Sequence, residues 1–212
     1  MSHIVKAAEL SFPEWCQSLT RRTDWGIVDT ETTGFKGEVI DLAIVSHDGR
    51  TLFDQLIKPT IPVEAGAQEV HHISETMLQS EKTLAEHWPE IEPVLQGKLI
   101  ITYNAKFDMQ RIVQSCRANG IASRSNIWIC AMDSYARYYK APDKYGRPGG
   151  WQKLEKACEQ QGVKKPDGQQ HRAAFDALWT WRLIIKCAEL GDQVATYKTK
   201  IAGGSQATRE MI

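Results

Sequence analysis

The 212-residue chain has no apolar run long enough to cross a membrane, and it opens without the basic-then-apolar pattern of an export signal. It also lacks an excess of charge, since 26 Lys and Arg balance 26 Asp and Glu. That balance excludes a protein that coats DNA by bulk electrostatics, which needs many unopposed contacts to phosphate. A local grip on one strand end is still compatible with it. The five cysteines (Cys16, Cys116, Cys130, Cys158, Cys187) are odd in number and have no CxxC spacing. Neither a disulfide frame nor a zinc site is therefore expected, and they read as reduced, buried thiols in a cytoplasmic protein.

The residues that are present suit one well-buried domain with short additions. Glu9 to Arg22 carries Leu10, Trp15, Cys16 and Leu19 at helical spacing, with Ser11 and Pro13 as start signals. Residues 1–24 are expected to form an N-terminal helical extension. Trp25 to Thr32 opens as a buried strand. Glu38 to His47 and Thr51 to Lys58 follow as two more strands around an Asp48-Gly49 hairpin turn. Pro59 to Gly66 reads as loop, and Ser74 caps a short helix. Helices over 83–96, 104–118, 133–139, 151–161 and 173–190 then alternate with short strands at 99–103 and 126–131. Leu178, Trp181, Ile184, Ile185 and Ala188 mark the core face of the last helix. This order predicts an α/β fold, a mixed sheet with helices on both faces. A domain over 25–191 and a polar, mobile tail over 192–212 complete the expected layout.

Asp29 and Glu31 sit two residues apart at the end of the first of these strands, where side chains i and i+2 share a face. Two carboxylates on one edge repel each other and call for a counter-charge, for which a divalent cation held by oxygen ligands is suited. Alone, the pair could be a solvated strand end. Asp108 falls one turn into a helix that Asn104 is placed to cap, and there it could equally serve the helix dipole. His171 and Asp176 are five residues apart, about 140° of rotation on a continuous helix. They converge only if His171 lies in the run-in and Asp176 in the first turns.

Together, DTETTGF (29–35), NAKFD (104–108) and HRAAFD (171–176) resemble the DEDDh branch of the DnaQ-like 3′→5′ exonucleases, from about Trp25 to Leu190. Val70-His71-His72-Ile73 matches a further segment of that family. The resemblance implies an RNase H-like fold and two divalent cations, Mg²⁺ or Mn²⁺, held by Asp29, Glu31, Asp108 and Asp176. It implies His171 as the base that takes a proton from water, with a 5′-mononucleotide as product. Thr32, Thr33, Phe35, His71 and Asn104 are implied contacts to the end nucleotide, Phe35 by stacking. DNA is favoured over RNA as partner on DTETTG alone. An RNA-trimming exoribonuclease and a non-catalytic nucleic-acid-binding module on the same fold are the alternatives. The extension at 1–24 and a short tail argue against stable polymerase association, and no oligomeric state is legible.

Overall fold

The computed structural model describes residues 3–5, 10–122 and 126–207. In chain order the elements are β1 (His3–Val5), α1 (Phe12–Leu19), β2 (Trp25–Thr32), β3 (Val39–Ser46) and β4 (Thr51–Leu56). These are followed by α2 (Ala65–His71), α3 (Glu75–Leu78), α4 (Leu84–Leu95), β5 (Leu99–Thr102) and α5 (Ala105–Ala118). The remainder is β6 (Ile127–Cys130), α6 (Ala131–Tyr139), α7 (Leu154–Gln160) and α8 (Ala173–Ala207). The strands form one sheet in the order β1-β6-β5-β2-β3-β4. β2, β3 and β4 run antiparallel to their neighbours in that trio, whereas β5, β6 and β1 continue the sheet in parallel from β2. β2 is thus central, hydrogen-bonded on both edges.

A central strand is buried on both faces, which is why Ile27 and Val28 are both apolar and both inaccessible. Ile27 belongs to the core that holds Trp15, Leu19, Trp179 and Leu183, on the side of α1 and α8. Val28 belongs to the opposite core, with Leu84, Ile91 and Ile112 of α4 and α5. Each such side chain contributes about 1.5–3 kcal/mol by leaving water.

Four differences from the sequence reading have physical causes. First, α1 starts at Phe12, capped by Ser11 in a reciprocal box with Glu14, and leaves Leu10 exposed. The helix packs into the α8 side of the core, and the Trp25 indole donates to the Leu19 carbonyl at 2.9 Å, tying it to β2. Second, β1 joins the sheet edge as a three-residue strand too short to carry a period. Third, α2 begins at Ala65, inside the expected loop, because its seven residues, mostly small and exposed, show no apolar stripe. Fourth, α8 continues beyond Leu190 to Ala207; of its expected core face Ile184 and Ala188 are buried and Leu178, Trp181 and Ile185 half-buried, while Trp179, Leu183 and Cys187 widen the buried face. α8 lies between the sheet and α1, so it is buried from two directions instead of one. Residues 208–212 of the expected tail lie outside the described residues.

Candidate active site

The pleat of β2 decides where its acids point. Asp29 and Glu31 share the face of Ile27, toward α8, while Thr30 shares the face of Val28, toward α5. Asp176, in the first turn of α8, comes beside Glu31 and acts electrostatically on Asp29. Asp108 arrives from the other face of the sheet. Only 3% exposed, it accepts a hydrogen bond from the Thr30 hydroxyl at 2.9 Å.

His171 lies just outside α8 with φ 62°, a left-handed conformation that His tolerates better than most residues. The kink brings its backbone N–H to Asp176 Oδ2 at 3.1 Å. One potential ligand atom from each of Glu31, His171 and Asp176 lies within 4.8 Å of the other two. Asp29 and Asp108 adjoin this group without entering it. The structure thus brings together all five residues drawn from the three motifs, and His171 occupies the run-in that convergence demands.

Mutual repulsion is legible in their acidity. Burial raises the Asp29 carboxyl well above the usual range, and Asp108, Asp176 and Glu31 push it further. Burial, followed by Asp176 and Asp41, lifts Glu31 to about 8, although Arg172 opposes this. Burial takes Asp108 to about 7 against the Thr30 hydrogen bond, and Asp176 to about 6 against the His171 imidazole. An all-oxygen cluster that resists ionising by itself fits a hard divalent cation, which would supply the missing positive charge.

The sign of the stability effect follows from linkage. Raised folded pKa values mean that the folded chain binds more protons than the unfolded one, so stability falls as pH rises. The window runs from the unfolded carboxylate range near pH 4 up to about 8, the Glu31 value. Metal-free protein should therefore lose thermal stability between pH 5 and pH 8. Added Mg²⁺ or Mn²⁺ should raise the midpoint more at pH 8 than at pH 5. Differential scanning fluorimetry with and without EDTA checks this, and an equal shift at both pH values would contradict it.

The expected end-binding residues divide. Phe35 is 78% exposed and stands 6.1 Å from the Phe107 ring. With Asn104, Lys36, Lys106, Arg111 and Trp151 it borders a cleft of about 480 Å³. Asn104 faces this cleft and makes no side-chain cap, contrary to the capping expectation. The Thr33 backbone N–H donates to the Glu38 carbonyl and is thereby engaged, and its hydroxyl accepts from the Glu38 N–H. Thr32 turns its hydroxyl to the Gly34 carbonyl. At Gly34 a Cβ would meet the Glu64 carboxylate, which would have to swing aside. His71 is 2% exposed, and its Nδ1 accepts from the Ile73 N–H. Burial lowers its pKa, and its Nε2 has no hydrogen-bond partner among the described residues.

Sequence reasoning passed over Asp41, Arg172, Phe107 and Trp151. Asp41 had a signal, as the lone acid inside the apolar strand VIDLAIV. Trp151 had none, because only the fold sets it across the cleft from Phe35.

Comparisons with known proteins agree with this geometry. A family model described as exonuclease (RNase T) matches residues 27–184. An uncharacterized exonuclease of Escherichia phage 186 is 28% identical, over 77% of this chain and 88% of its own length. Exodeoxyribonuclease 10 of Escherichia coli K12 is 26% identical, over 84% and 74%. The solved structure of Exonuclease X in complex with 5′-overhanging duplex DNA covers 78% of this chain, with 92% of its own length matched. It is 25% identical with a TM-score of 0.60, and the RNase H-like fold is shared.

Proposed function

The chain belongs to the RNase T exonuclease family, and from that premise we propose that it removes 5′-mononucleotides from the 3′ ends of DNA by divalent-ion-dependent hydrolysis. The observation that carries the proposal is the meeting of Glu31, His171 and Asp176 beside Asp29 and Asp108. Asp29, Glu31, Asp108 and Asp176 would hold two divalent cations. When bound, these would neutralise the phosphate and stabilise the charge that develops on the attacked and leaving oxygens. His171 takes the proton of the attacking water on a ring nitrogen, and its exposure lets that proton pass to solvent. The 3′-oxygen of the shortened strand departs as the new P–O bond forms.

Phe35 offers the end base a stacking surface, worth about 1–3 kcal/mol whatever the sequence. Asn104, Lys36 and Lys106 add polar and positive groups along the same cleft. Preference for DNA is supported by the relative named an exodeoxyribonuclease and by the duplex-bound neighbour. The same proposal divides the chain into 1–24, an exonuclease domain over 25–191 and a tail over 192–212, with α1 packed into the domain core.

The test is a panel of single-stranded, duplex and mismatched DNA, and of RNA, labelled in turn at each end. Cleavage is followed with Mg²⁺, Mn²⁺ or EDTA, and the released product is weighed by mass spectrometry. Stepwise shortening from the 3′ end of DNA, yielding 5′-mononucleotides and stopping in EDTA, is expected. Removal from the 5′ end, action on RNA alone, or undiminished cleavage in EDTA would each overturn the reading.

A further inference from the structure

Asp41 is a carboxylate with no exposed surface, in the middle of an apolar strand. It stands directly across the β2–β3 ladder from Glu31, so the two side chains share the face that looks at α8. A buried acid beside another acid is costly and needs a reason. Here the reason lies at the start of α8. Asp41 Oδ2 accepts from the Arg172 Nε at 2.7 Å and from the Ala173 N–H at 3.1 Å. The second bond satisfies one of the orphan donors of a helix start, a service normally given by a neighbouring residue. Its other oxygen, Oδ1, is buried without a partner.

His171 lies immediately before Arg172 and holds its left-handed turn between two anchors. Behind it, Arg172 and Ala173 are fastened to Asp41. Its own N–H is fastened to Asp176. Slackening of the rear anchor would free the turn that aims the imidazole.

We propose that Asp41 and Arg172 are positioning residues for the hydrolysis. Acting as a clamp between β3 and the start of α8, they set the His171 turn and so the place of its ring against Glu31 and Asp176. The inference rests on the exonuclease reading with His171 as base. Arg172 touches Asp41, not the reacting atoms, and Asp41 acts through Arg172. Partners that orient an active group in this way commonly cost ten- to a hundredfold in activity when removed.

The experiment is a double-mutant cycle on the full chain, with Arg172→Ala, His171→Ala and both together, read as kcat and KM on a 3′-labelled single strand. Arg172→Ala should lower kcat about ten- to a hundredfold with KM changed less than about threefold. The double variant should be no slower than His171→Ala, because the clamp works only through the ring. Asp41→Leu keeps roughly the volume and removes the acceptor of both bonds, and it should reproduce the kcat loss. It carries the test alone if Arg172→Ala proves unfolded by circular dichroism. Losses that multiply in the double variant overturn the clamp, and so does an Arg172 effect confined to KM. The second would make Arg172 a phosphate contact. Arg172→Ala at wild-type rate beside an inactive His171→Ala sinks the clamp and spares the function. An active His171→Ala removes the proposed base and the clamp with it, whereas failure to shorten any 3′ end sinks the function at its root.

Discussion

Asp29→Ala should reduce divalent-ion-dependent cleavage by on the order of a thousandfold, the scale seen when a group that stabilises developing charge is removed. Asp29 is the acid on which the others converge, since Asp108, Asp176, Glu31 and Asp41 all press on its carboxyl. No neighbouring acid can take its place, because the pleat puts Thr30 on the opposite face and Glu31 is already committed beside Asp176. The same substitution has a second, opposite consequence. Removing one of several crowded carboxylates relieves repulsion, so the metal-free variant should melt above the wild type at pH 8. Its midpoint should also respond less to Mg²⁺. Asp29→Asn should behave likewise. Wild-type turnover, or a variant that melts lower at pH 8 yet keeps the full Mg²⁺ response, would contradict the arrangement.

His171→Ala should lower kcat about 10²–10⁴-fold, the usual contribution of a positioned proton acceptor. KM and the affinity for a non-cleavable strand end should stay near wild type, because the exposed ring is not part of the aromatic cleft. A complication is the left-handed backbone at this position, which alanine accepts less readily than histidine. His171→Asn separates the two effects, since asparagine adopts that conformation with ease. Equal loss in both variants, partly restored by added imidazole, assigns the effect to the ring. Recovery of activity in the Asn variant would assign it to the turn.

What was legible in the sequence depended on how local the signal was. The DTE of 29–31 declares both a strand and its paired carboxylates, since a two-residue spacing suffices. His171 and Asp176 were legible together only because Gly168-Gln169-Gln170 permits a break before α8, and the break is there. Features set by distant contacts could not be read. The short α2 shows no period, and the widening of the α8 core face follows from α1 lying across it. Asp41 was visible as an anomaly, but its partner is 131 residues away. The engagement of the Thr33 backbone N–H by Glu38 likewise leaves no mark in the sequence.

Asp176 belongs to α8, the last element among the described residues, whereas Asp29 and Glu31 belong to the second strand. On a ribosome, where N-terminal parts are made first, most of the sheet is synthesised well before its fourth acid. A nascent chain halted short of residue 176 has no complete set of carboxylates and no imidazole held beside them. Under the proposed function, the site is complete only once the start of α8 has joined the sheet.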